Sequence, residues 1–133
     1  MSAVSFKTLI ESSASKIIYI NPNVTIDLNG LTQSIKLPSN IVIASNRGVG
    51  GSLGAIIKTD DFCYDVAGSI CGVSREVFVS NGNNIRITGL QFRGPWSSIG
   101  TDDKKYRVGI LMKGHDGLEV DNCDISSCLI LPL

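Results

Sequence analysis

The chain has 133 residues, with twelve basic and twelve acidic residues and no net charge; 43% of it is hydrophobic and 6% aromatic. That length fits one domain. No basic patch interleaved with aromatics is present, which argues against a nucleic-acid partner, and no run of about 18 apolar residues exists to form a membrane span.

The first predicted element is a short amphipathic helix over residues 5–14. Ser5 is placed to cap it, and Phe6, Leu9 and Ile10 fall on one face. Residues 16–20 (K-I-I-Y-I) and 24–28 (V-T-I-D-L) read as strands parted by the turn Asn21-Pro22-Asn23, and Asn29-Gly30 is a further turn signal. Ile35 and Leu37 alternate, Pro38-Ser39-Asn40 turns, and residues 41–44 form another strand. The Gly-rich stretch 44–57 lacks the closing Gly-Lys-Ser/Thr of a phosphate loop, and no helical pattern follows it. It is therefore a loop leading into a strand at 55–58. Residues 60–76 and 93–107 are irregular excursions flanking the well-patterned segment 77–92. A last segment covers 109–125, and the chain closes on the apolar tail 129–133.

A repeat links these segments. Residues 84–92 (N-I-R-I-T-G-L-Q-F) return 33 positions later as 117–125 (G-L-E-V-D-N-C-D-I). Ile85 then meets Leu118, Ile87 meets Val120, Leu90 meets Cys123 and Phe92 meets Ile125; upstream, Val77 and Val79 meet Ile110 and Met112. Fainter copies begin at Asn40 and Asn23. Apolar residues alternate with period two inside each copy, the spacing of a strand with one buried face. Units this short bury an apolar face only by stacking on a neighbour. The pattern predicts an all-β, right-handed parallel β-helix, a solenoid with units of about 22 residues. Residues 5–14 would be its capping helix and 16–128 its rungs. An ordinary β-sandwich is the competing architecture, but it favours two-residue hairpin turns.

The segments from Asn40 onward resemble the pectin-lyase-like superfamily of right-handed parallel β-helices. The resemblance rests on the Gly-rich loop 48–54, then N-N-I-R-I-T-G-L-Q-F-R, V-G-I-L-M and L-E-V-D-N-C-D-I-S. It implies a polysaccharide as partner, Ca2+ as cofactor and an extracellular location. The N-terminal M-S-A-V-S-F-K carries no signal-peptide pattern. Two departures weaken the catalytic implication. The family's Asp-Ala-Ile aligns with Val108-Gly109-Ile110, which removes a calcium-ligand Asp. Its Trp-Ile-Asp-His aligns with Glu119-Val120-Asp121-Asn122, which keeps only the Asp. The arginine that serves as base in pectate lyases lies beyond the last residue of this chain.

Glu119, Asp121 and Asp124 are the candidate catalytic groups, and Asp121 and Asp124 the candidate metal ligands, because outward carboxylate pairs bind calcium or work as acid and base on glycosides. Such residues are more often only the solvated face of a strand. Trp96 is a candidate sugar-stacking platform, or a cover for the segment beneath it. Arg93 and Arg47 are placed to bind uronate carboxylates, or to cover the structure with their stems. Asp102 and Asp103 read as solvated loop residues, and His115 as a turn residue. The four cysteines allow three pairings if all are bridged; Cys63 and Cys71 flank a loop that a short bridge would close, and Cys123 stands where a small buried hydrophobe is expected. The expected function is a carbohydrate-active β-helix module that binds polysaccharide without being catalytically complete. The alternative is a structural or adhesive solenoid that self-associates through its apolar C-terminal end.

Overall fold

A computed structural model describes residues 1–13, 16–64, 71–95, 105–126 and 129–132. Among them one helix, α1 (Ala3–Glu11), precedes the strands. These are β1 (Ile17–Tyr19), β2 (Thr25–Asp27), β3 (Ile35–Pro38), β4 (Val42–Ala44), β5 (Ile56–Lys58), β6 (Cys63–Tyr64) and β7 (Glu76–Asn81). There follow β8 (Ile85–Thr88), β9 (Gln91–Arg93), β10 (Lys105–Tyr106), β11 (Val108–Met112), β12 (Leu118–Asp121), β13 (Asp124–Ser126) and β14 (Leu129–Pro132). Three sheets of four strands form: β1-β4-β8-β12, β2-β5-β9-β13 and β3-β7-β11-β14. Every pairing within them is parallel.

The 33-residue echo is the register of the β8–β12 and β9–β13 ladders. In the third sheet the offset is 32, so Ile110 stands opposite Phe78 and Leu111 opposite Val79, in place of the expected matches of Val77 with Ile110 and Val79 with Met112. Ile85 stands opposite Leu118 and Ile87 opposite Val120 in the first sheet; Phe92 stands opposite Ile125 in the second. The strands end at stacked corners where the backbone turns left-handed. Asn40 and Asn84 both have φ of 60° and Gly117 has 84°, a conformation that asparagine and glycine tolerate best. Backbone bonds tie one corner to the next: the Asn40 N–H donates to the Asn83 carbonyl at 2.9 Å, and the Asn84 N–H to the Asp116 carbonyl at 2.9 Å. At the following corner Gly89 has φ of 72°, and a Cβ there would collide with the Ser45 carbonyl.

Side chains on the inward parity build one core. Ile18, Ile43, Ile87 and Val120 succeed each other across the first sheet. Ile26, Ile57, Phe92 and Ile125 do so across the second. The central members are almost fully buried, whereas Ile18, Val120 and Ile125 at the ends are partly so. Phe78 of the third sheet reaches across to Phe92, ring centroids 5.4 Å apart and planes inclined by 58°, within the range of favourable aromatic pairs. Helix α1 adds Phe6 and Ile10 to this core.

The expectation of an all-β right-handed parallel β-helix solenoid is corrected. The chain forms a small mixed domain: three parallel sheets, one short helix that belongs to the core, and a separate pair, β6 with β10, that runs antiparallel. The physical reason lies in elements the period-two pattern could not weigh. On the β3 side the helix lends Phe6 and Ile10 to the core instead of only shielding a first rung. Glu11 accepts a hydrogen bond from the Lys36 N–H of β3 at 2.9 Å and pairs with Lys7. The two excursions also carry structure of their own and meet each other through β6 and β10. Cys63 and Cys71 are bridged, with Cα atoms 5.1 Å apart.

Smaller differences follow. The helix begins two residues earlier than predicted and is capped by Ser2, whose hydroxyl accepts from the Ser5 N–H at 3.1 Å; Leu9 lies off its buried face, 39% exposed. The copy starting at Asn23 is β2, which belongs to the second sheet. The true first partner of β4 is β1, residues 17–19. The wide interval from Asn40 to Asn84, 44 residues, is a single ladder step, since β4 pairs directly with β8. The tail over 129–132 is strand β14, paired with β11.

Candidate functional site

The outer face of the first sheet carries the densest arrangement of fixed polar groups. The alternation that turns Ile85, Ile87, Leu118 and Val120 inward turns Arg86, Thr88, Glu119 and Asp121 outward, and the register sets Arg86 opposite Glu119 and Thr88 opposite Asp121. Arg86 bonds Asp121 through two nitrogens, Nε to Oδ1 at 3.0 Å and Nη2 to Oδ2 at 2.9 Å. This is the fork geometry that makes guanidinium–carboxylate pairs the strongest of their kind. Glu119 lies 3.7 Å from the same guanidinium. An open cleft of about 360 Å3 adjoins the group, lined by Asn84, Arg86, Gly117 and Glu119 among others.

Electrostatics follow from this geometry. The hydrogen bonds from Arg86 first, and from Thr88 after a smaller opposing effect of burial, hold the Asp121 carboxyl below the usual carboxylate range. In return Asp121, and then Glu119, hold the Arg86 proton more firmly. A group that ionises this readily is a poor proton donor, and glycoside cleavage needs a carboxyl kept protonated near neutral pH.

The predicted residues divide between separate places. Glu119 and Asp121 come together around Arg86. Asp124 stands on β13, past the left-handed corner at Asn122, in register with Gln91 of the second sheet. Arg93 also lies on that sheet, exposed beside Lys58 in the ladder; its Nη2 donates to Gln91 Oε1 at 2.6 Å, and Lys58 pairs with Asp27 at 3.7 Å. Arg47 ties down the Gly-rich loop, its N–H donating to the Gly89 carbonyl at 2.8 Å and its Nη1 to the Leu53 carbonyl at 3.3 Å. His115 is held by Ser80, Nδ1 to Oγ at 3.0 Å. Trp96, Asp102, Asp103 and Cys128 lie outside the described residues.

The candidate metal ligands are not gathered: Asp121, like Glu119, faces the Arg86 guanidinium, and Asp124 is on another sheet. Among the described residues no group of three His, Cys, Asp or Glu side chains is gathered for a metal ion, and no helix is long and apolar enough to cross a membrane. Sequence reasoning missed Arg86, although the signal was present: at an offset of 33 it falls on Glu119, and Thr88 falls on Asp121. The chain matches no protein-family model, and neither a curated protein nor a solved structure is found to be similar to it.

Proposed function

We propose that this domain binds polysaccharide without cleaving it, and that the sugar chain lies in the cleft along β8 and β12. The observation that carries this reading is the Arg86–Asp121–Glu119 array, with Thr88 beside it and Asn84 at the head of the cleft. These groups are planar or short, already oriented by one another, and offer donors and acceptors side by side. Adjacent sugar hydroxyls demand that pattern, and orientation in advance lowers the entropic cost of binding. The depressed Asp121 is unsuited to the general-acid role that glycoside hydrolysis needs. The disulfide between Cys63 and Cys71 favours an oxidising compartment, where extracellular polysaccharides are met.

Titrating the protein against a panel of neutral and acidic polysaccharides by calorimetry tests the proposal. Binding without release of reducing ends or unsaturated products is expected. Arg86→Ala should weaken it about tenfold or more, the worth of one charge-assisted hydrogen-bond pair, while lowering the melting temperature only by the small amount that an exposed ion pair contributes. Absence of binding to every member of the panel ends the proposal.

A second reading, self-association, draws on a different feature. Leu118, Val120, Cys123 and Ile125 at the β12–β13 end are packed on the core but only partly buried, beside open strand edges of the kind that recruit another chain. Light scattering on the parent and on Ile125→Glu separates the two: a dimer that the substitution dissolves favours association, and a monomer in both removes it.

A further inference from the structure

Asn23 stands in the sequence Asn23-Val24-Thr25, and it is the one asparagine of the chain followed two places later by a hydroxyl residue. That pattern, with any residue but proline between, is the acceptor signature for N-linked glycan. A short pattern arises often by chance, so the surroundings decide its weight. Asn23 sits in the tight turn between β1 and β2, where the Val24 N–H donates to the Asn21 carbonyl at 3.0 Å and the Asn23 N–H to Asn21 Oδ1 at 3.2 Å. Both bonds use backbone N–H donors and acceptors of Asn21. The Asn23 side-chain amide makes no hydrogen bond among the described residues, and Asn23, Val24 and Thr25 are all exposed. Thr25 faces outward on β2, the edge strand of its sheet. Attachment there disturbs no packed group. The Cys63–Cys71 bridge supplies the second, independent observation: such bridges form and persist in an oxidising lumen or exterior, which is also where this modification is made and kept.

The neighbourhood gives the glycan something to do. Beside the turn lies a groove of about 280 Å3 with a largely apolar lining that includes Leu9, Ile18, Tyr19 and Val24. Met1, Ile17 and Tyr19 are 74%, 73% and 59% exposed at the same end, and β1 and β2 are both open edges. A patch of this kind next to unpaired edges invites association unless something polar covers it. We propose that Asn23 is an N-glycan acceptor, and that its glycan lies over this groove, with the first sugars against the Tyr19 ring, whose apolar face suits their C–H faces.

The test is expression of the full chain behind a cleavable secretion leader in a mammalian cell line. A slower-migrating product is expected, returned to the unmodified position by peptide N-glycosidase F, with mass spectrometry showing Asn23 converted to Asp. Asn23→Gln and Thr25→Ala should abolish the shift, while Thr25→Ser, which keeps the acceptor pattern, should retain it. Secreted protein whose Asn23 is unmodified overturns the assignment. Light scattering before and after the glycosidase then tests the cover. Enzymatic removal of the glycan should raise the associated fraction; an unchanged monomer refutes the shielding role.

Discussion

Ile17, Ile18 and Ile87 are chemically identical side chains whose different positions in the first sheet set different values on the same substitution. Ile87 is 2% exposed, between Ile43 and Val120 in its ladder. Replacing it with alanine removes three carbons, about 2.4 kcal/mol of transfer free energy at roughly 0.8 kcal/mol each. The cavity left in a closed site adds to this, for a total of about 3–4 kcal/mol. Ile18 faces the same core at the outer end of the column and is only partly covered. The same change there costs about 1 kcal/mol, since solvent and neighbours fill the space. Ile17, next in sequence and pointing outward, is 73% exposed and should cost no more than about 0.5 kcal/mol. Against a total stability of roughly 5–15 kcal/mol, the first loss is large and the last invisible. Denaturant unfolding with the disulfide intact measures all three. The reasoning about register fails if Ile17→Ala costs as much as Ile18→Ala, or if Ile87→Ala costs under about 1 kcal/mol.

Four further outcomes are expected. Gly89→Ala should destabilise by at least about 2 kcal/mol, because a left-handed backbone angle and a collision with the Ser45 carbonyl act together; an unchanged denaturation midpoint contradicts this. Burial pushes the Cys123 thiol above its ordinary value, so its alkylation by iodoacetamide at pH 8 should be slow in the native protein and speed up sharply in denaturant; equal rates refute the packing. Burial pushes the Glu11 carboxyl up, but the bonds from Lys7 and the Lys36 N–H pull it down further, to a net lowering; the Asp121 carboxyl is lowered as well. Carboxyls depressed in the fold lend stability that is complete above their ordinary values of 4.5 and 3.8 and drains away as pH falls through the lower folded values. Melting temperature should therefore drop below about pH 4, and Glu11→Gln with Asp121→Asn should flatten that slope; a parallel curve for the double variant counts against both bonds. At neutral pH, Glu11→Ala should cost about 1 kcal/mol through the loss of its bond to β3, measured by chemical denaturation.

What could be read from the residues alone follows their physics. Period-two alternation and the echo of 84–92 in 117–125 carried the strand faces and the parallel register, because both depend only on which side chains share a side. The closed coil was a step too far. It placed the helix over 5–14 as a cap on the first rung, whereas Phe6 and Ile10 lie inside the core and Glu11 and the Lys36 N–H fasten the helix to β3, a bond between residues 25 apart that no local pattern encodes. The copy at Asn23 was matched to the wrong sheet for a related reason. Asn-x-apolar spacing marks a corner without saying which one, and β1, legible as a strand over 16–20, lacks the asparagine that marks a copy of the repeat. In the candidate site, Glu119 and Asp121 were legible as outward carboxylates. Their partner Arg86 stands one ladder step away and becomes legible only when the offset of 33 is applied to the outward parity as well as the inward.

The distances along the chain between paired strands also govern how fast the domain can assemble. Contacts that join neighbouring strands of the first sheet bridge 25, 44 and 33 residues, so no parallel pair can form from a local turn. Closing a span of 33 residues costs about 3 kcal/mol of chain entropy before the first bridge returns any of it. Refolding should therefore occupy milliseconds to seconds, as in other topologies dominated by distant contacts, with the earliest structure confined to α1.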